Sequence, residues 1–99
     1  MFVVLLTLAE KRAEAPRWMA AHKAWLQQGF DDGVFLASGD LAPQAGGAVV
    51  ARGLARAAIE ARVAADPFVQ HGVVRAEIVQ IRTTRTAAGL QALLDEAGA

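Results

Sequence analysis

A chain of 99 residues has room for one compact domain around a single hydrophobic core, and no stretch of it reads as a linker. Ten Lys and Arg balance ten Asp and Glu, and no basic stripe interleaved with aromatic residues is present, which argues against nucleic acid as the main partner. Cysteine is absent, so disulfides, thiolate zinc sites and cysteine nucleophiles are excluded together. A zero formal charge does little to hold copies apart, and 55% hydrophobic residues is high for so short a chain, so the composition points to self-association.

The opening "MFVVLLTL" lacks a charged region before it and a small-residue cleavage site after it. It is too short to cross a bilayer and rich in strand formers, so it reads as a buried strand with both faces apolar. The expected compartment is the cytoplasm, without membrane association. "AEKRAEAP" is a polar approach to a helix running from Pro16 to Phe30, with the proline in its first turn. Asp31 and Asp32 follow at the end where the helix dipole is negative, so they are expected as solvated turn residues rather than part of the last turn.

Val34 to Gly39 is a short strand, "DLAPQAGG" a turn-rich connection, and Ala48 to Arg52 the strand returning from it. Leu54 to Ala65 is helical, with Ile59 and Val63 on its packing face, and the proline of "DPF" stops it. From Val73 to Ile81 the chain alternates, Val74, Ala76 and Ile78 pointing one way and Arg75, Glu77 and Val79 the other, which is the period of a strand. Leu90, Leu93, Leu94 and Ala97 then repeat at helical spacing in a tail helix from about Thr86, a candidate cap, to Ala97. Gly89 interrupts it, and its apolar side needs a surface in its own subunit or a neighbour.

Strand, helix, strand, strand, helix, strand is the split βαβ plan of an α+β, ferredoxin-like βαββαβ sandwich, here with a C-terminal tail helix. Both long helices then cover one face of the sheet. A first strand apolar on both faces conflicts with an open face in water, so a homodimer joined through the sheets is expected.

In the first helix, "WMAAHKAWL" sets His22 on the same side as Trp18, Met19, Trp25 and Leu26. Asp66 follows Ile59 and Val63 at helical spacing, so two polar residues from different helices aim inward. If they meet, the carboxylate holds the imidazole in one tautomer and makes it a positioned general base or acid. The same positions equally suit a core histidine with one hydrogen bond and a helix-terminating aspartate. Ser38 can donate a hydrogen bond to a ligand from a strand end, but "LASGDL" is not a nucleophile elbow. His71, read at the start of the last strand, is expected as a solvated loop residue, and no tight ligand spacing supports a metal site with His22 and Asp66. Gly46 and Gly47 read as a backbone bend entering a strand. No motif calls for a cofactor.

The histidine of "AHKAWLQQG", the "FLASGDLAPQAGG" hairpin and above all "DPFVQHGVVRAEIVQI" resemble, in order and spacing, the YCII-related domain family over residues 1 to about 82. The resemblance implies a ferredoxin-like fold that dimerises as an α+β barrel, with a pocket around a histidine and an aspartate, here His22 and Asp66. It also implies a small residue and a glycine in the second strand, here Ser38 and Gly39. Most members have no assigned activity; a few relatives act on small ring compounds, a histidine with an aspartate assisting elimination of a leaving group. The sequence departs from the pattern at Asp40, which follows the glycine where an uncharged residue is usual and bears on the polarity of the pocket rim. The expected function is therefore proton transfer or elimination on a small molecule by His22 and Asp66, with Trp18, Phe68, Phe2, Trp25 and Phe35 as candidate apolar walls. A metabolite-binding or protein-interaction dimer without catalysis is the other expectation.

Overall fold

The computed structural model describes residues 1–95. Strands β1 (Phe2–Leu8), β2 (Phe35–Leu41), β3 (Gly46–Ala51) and β4 (Val74–Gln80) form one antiparallel sheet in the order β2-β3-β1-β4. Helices α1 (Ala15–Asp31) and α2 (Arg56–Ala64) lie on one face, a short helix α3 (Pro67–Gln70) links α2 to β4, and α4 (Leu90–Asp95) follows the sheet. A single 3-10 turn at Arg12–Glu14 leads into α1. This is the ferredoxin-like α+β arrangement that the order of elements predicts.

The alternation of β1 builds the core. Phe2, Val4 and Leu6 are buried against the helices with Val49, Ala51 and Val74 from neighbouring strands and Ile59 and Val63 from α2. Val3 and Leu5 point to the other face, where register aligns Val3 with Val50 and Val79. That face stays partly exposed: Val79 is 39% accessible. At the helix-covered face, Gly29 is buried in α1 because the Phe35 ring lies where its side chain would be. Phe35 in turn meets Trp25 and Phe30 edge-on, at 5.1 and 6.0 Å between centroids.

Several boundaries differ from the sequence reading, each for a local reason. Asp31 is helical and Asp32 caps α1, because Gln27 and Gln28 donate side-chain hydrogen bonds of 2.9 and 2.7 Å to their carboxylates one turn on. The Gln28 amide and then the Arg62 guanidinium, 3.0 Å away, hold the Asp32 carboxyl below its ordinary range. The hairpin is tighter than expected: β2 continues to Leu41, and β3 already begins at Gly46, whose φ of +125° brings it close to the Leu6 carbonyl. Leu54 precedes α2, and Pro67 starts α3 rather than merely stopping α2. Thr86 hydrogen-bonds Gln91 but does not cap α4, which begins at Leu90 after Gly89 at φ +91°. Leu93 is exposed, and among the described residues no α4 side chain packs on the core; Ala97 lies outside the described residues. Among the described residues, no helix is long and apolar enough to cross a membrane.

The Gly29 contact gives a direct test of this packing. Gly29→Ala is expected to cost about 1–3 kcal/mol through overpacking against Phe35, which lowers Tm by roughly 4–8 °C per kcal/mol in a domain of this size. Gly53→Ala, whose added carbon would meet the Met1 nitrogen at an ordinary 3.5 Å, is expected to leave Tm nearly unchanged. Thermal melts of both variants by circular dichroism check the contrast.

Candidate functional site

The site begins with the capping of α3. Asp66 is its N-cap: the side chain turns back so that Oδ1 accepts the Phe68 N–H at 3.0 Å, Pro67 fills the first helical position, and His71 closes the turn with an N–H to the Pro67 carbonyl at 3.0 Å. This inward turn leaves Asp66 fully buried, at 0% exposure. A buried carboxylate needs partners. Besides the Phe68 N–H it has one more, the imidazole of His22, whose Nδ1 lies 2.8 Å from the same Oδ1. Oδ2 finds no partner among the described residues.

That geometry assigns the tautomer. Oδ1 already acts as an acceptor for the Phe68 N–H, so the hydrogen bond to His22 is one in which Nδ1–H donates. Nε2 is then the nitrogen with a lone pair. It makes no hydrogen bond to a described residue, and the His22 side chain as a whole is 13% exposed. One face of the imidazole stacks on Phe68 with centroids 4.1 Å apart and planes 5° from parallel. Trp18, one turn earlier on α1, stacks in the same way on His71 at 3.5 Å and 3°. Two parallel ring stacks thus pin both ends of α3 to α1, and Asp66 sits at the end that His22 grips.

A cavity of about 330 Å³, lined by both His22 and Phe68, opens between α1 and the end of the sheet where β2 meets β3. Met19 and Leu26 flank His22 along α1, and Leu6, Val49 and Phe68 contribute apolar wall. Its polar lining is sparse: His22, Lys23, Ser38 and Asp40, with the backbone of Gly39, Gly46 and Gly47. The cavity exists because Gly47, in register between Leu6 and Asp40, places no side chain there. An apolar pocket with a few converging polar groups is the usual form of a small-molecule site.

Residues 1–83 match the family model of the YCII-related domain, a span that runs from β1 through β4. The chain belongs to the YCII-related domain family. No curated protein and no solved structure matches it. The YCII-related domain thus contains the whole sheet, the cavity and both members of the His22–Asp66 pair, while α4 lies beyond it.

Within the YCII-related domain the expected site residues separate into those the fold brings together and those it does not. His22, Ser38, Gly39 and Phe68 line the cavity, and Asp66 stands behind His22, bonded to it. Trp18 turns away to His71, so His71 is a half-buried stacking partner at the end of α3 rather than a solvated loop residue. Trp25 lies beside the His22 ring at 5.7 Å between centroids but is not part of the cavity lining, donating its indole N–H to the Arg62 carbonyl at 2.9 Å, and Phe2 and Phe35 are buried at the opposite end of the sheet. Met19 and Leu26, at helical spacing on either side of His22, take the wall positions assigned to the tryptophans. Among the described residues, no group of three or more His, Cys, Asp or Glu is placed to hold a metal ion.

Breaking the pair from one side strands the other partner. His22→Phe is expected to destabilise the domain by about 3–5 kcal/mol, because it leaves a buried carboxylate with a single donor. Adding Asp66→Asn to His22→Phe removes that charge while keeping a capping oxygen for Phe68, so the double variant is expected to regain part of the loss. Urea unfolding of the two single variants and the double variant completes the cycle, and strictly additive losses would contradict a direct interaction.

Proposed function

We propose that this YCII-related domain is a small-molecule enzyme in which His22 Nε2, oriented by Asp66, takes a proton from carbon in an elimination or isomerisation step. The observation that carries this reading is the 2.8 Å Nδ1–Oδ1 hydrogen bond of a fully buried Asp66, set behind an imidazole that lines the cavity. The carboxylate fixes the tautomer that leaves Nε2 basic, then stabilises the imidazolium formed when Nε2 accepts the proton. In an elimination the C–H electron pair becomes a C=C bond and the leaving group departs with its own bonding pair. In an isomerisation the imidazolium returns the proton to a different carbon. Met19, Leu26 and Phe68 supply apolar surface around the ligand and limit water beside the base. Ser38 lines the cavity, which supports a role for its hydroxyl in hydrogen-bonding the ligand.

The test is solvent isotope exchange. A set of small organic compounds bearing a C–H bond next to a carbonyl, carboxylate or ring oxygen is incubated with the protein in D2O, and deuterium uptake or loss of a leaving group is followed by NMR. Wild type is expected to turn over a member of the set. His22→Ala is expected to reduce that rate by on the order of 10²–10⁴, and Asp66→Asn by on the order of 10² or more through loss of the correct tautomer. Binding to wild type without exchange or product across the set would convert the reading into a metabolite-binding domain without catalysis.

The proposal includes a homodimer formed through the uncovered sheet face. Val3, Leu5, Val50 and Val79 share that face, an apolar surface of the kind that marks an interface. Light scattering at micromolar concentration is expected to give twice the 10.4 kDa chain mass. Leu5→Lys is expected to shift it to the single-chain mass, and a wild-type peak already at that mass would contradict the dimer.

A further inference from the structure

Proton abstraction by His22 creates charge, and the cavity has few groups able to receive it. When a neutral imidazole takes a proton from carbon, the imidazolium is matched by Asp66 at 2.8 Å. The electron pair left on the substrate has no such match. It either delocalises onto a neighbouring oxygen as an enolate-like oxyanion, or forms a C=C bond while the leaving group departs as an anion with its own bonding pair. In both cases negative charge develops beside walls built mainly from Leu6, Met19, Leu26, Val49 and Phe68. Apolar surroundings penalise an unpaired anion heavily, so catalysis of this kind needs a donor aimed at the developing charge.

Among the described residues lining the cavity, Lys23 is the one permanent cation. It follows His22 directly on α1, and both residues line the cavity. The Arg17, Arg56 and Arg62 guanidinium groups are paired with Glu14, Glu60 and Asp32, whereas Lys23 takes part in no ion pair among the described residues. Its charge therefore remains available to a ligand. Asp40, the one carboxylate of the lining, stands on the opposite wall on β2. An anionic ligand end is repelled from β2 and drawn to α1, while the bare backbone at Gly47 leaves room for a flat body between them; even a Cβ there would come 3.2 Å from the Gly39 carbonyl oxygen.

We infer that Lys23 is an anion-binding residue of this cavity, and that the substrate is a small flat organic molecule that carries, or develops on deprotonation, a carboxylate-like oxyanion. This rests on the proton-transfer reading of His22 and names the substrate class for it. The long flexible stem of lysine suits the role, since the ammonium can follow charge as it moves from carbon to oxygen.

Benzoate and benzamide separate the charge from the shape. The two probes are planar and nearly isosteric, and only benzoate carries the oxyanion. Titration of each into isotope-labelled protein, read on the His22 ring signals, gives location and Kd together. Wild type is expected to bind benzoate at least tenfold more tightly than benzamide. Lys23→Met is expected to abolish that preference while leaving benzamide binding intact, Lys23→Arg to retain it, and Asp40→Asn to enlarge it. Equal binding of the two probes by wild type, or a preference that survives Lys23→Met, overturns the role of Lys23 and leaves the His22 reading standing. His22 signals unmoved by both probes overturn the cavity as a ligand site, and the inference with it.

Discussion

The Asp66 carboxylate is the constraint on which the rest of the site depends. A single buried oxygen accepts two hydrogen bonds, from the Phe68 N–H at 3.0 Å and from His22 Nδ1 at 2.8 Å. The first bond is ordinary helix capping, and it forces the carboxylate inward instead of into water. Once inside, the charge requires a donor from another element, and α1 supplies it. Local backbone chemistry at a four-residue helix thereby sets the orientation of an imidazole 44 residues earlier in the chain.

The same bond divides α1 into two working sides. Trp18 stacks on His71 at the end of α3, and Trp25 donates a hydrogen bond to the Arg62 carbonyl of α2. Met19 and Leu26 face the cavity. His22 lies between the two sides, its Nδ1 committed to Asp66 and its Nε2 without a hydrogen bond to a described residue. Large side chains concentrate at the other end of the sheet, where Phe2, Phe35 and Ile59 close the core. Where Gly47 replaces a side chain in the row shared with Leu6, the packing leaves a space instead.

The uncovered sheet face follows from the same economy of elements. Two main helices cover one side of four strands, and the sequence nonetheless keeps β1 apolar on both sides. Arg75 and Glu77 make the β4 edge of that face polar, while Val3, Leu5 and Val50 keep its centre apolar.

The sequence by itself determined the order of the strands and the two main helices, the alternation of the last strand and the presence of His22 and Asp66 on faces that could meet. Period-two alternation in β4, the two-sided hydrophobicity of β1, and Ile59 with Val63 on α2 are local patterns, and they survive in the structure because burial acts on the same periodicity. Local chemistry was also where that reading stopped short. "DPF" is legible as a helix stop, yet an N-cap aspartate followed by proline begins a helix as readily as it ends one, and α3 shows the second outcome. Asp31 enters α1 because two glutamine amides offset the unfavourable end of the dipole, a side-chain pairing that charge counting ignores. Only the tertiary structure decided which α1 residues face the cavity. Trp18 and Met19 are neighbours in sequence and both apolar, and helical spacing cannot say which of them meets His71 and which meets open space. Helix rotation is set by the partner surfaces, and those surfaces come from α3 and β3, far from α1 along the chain.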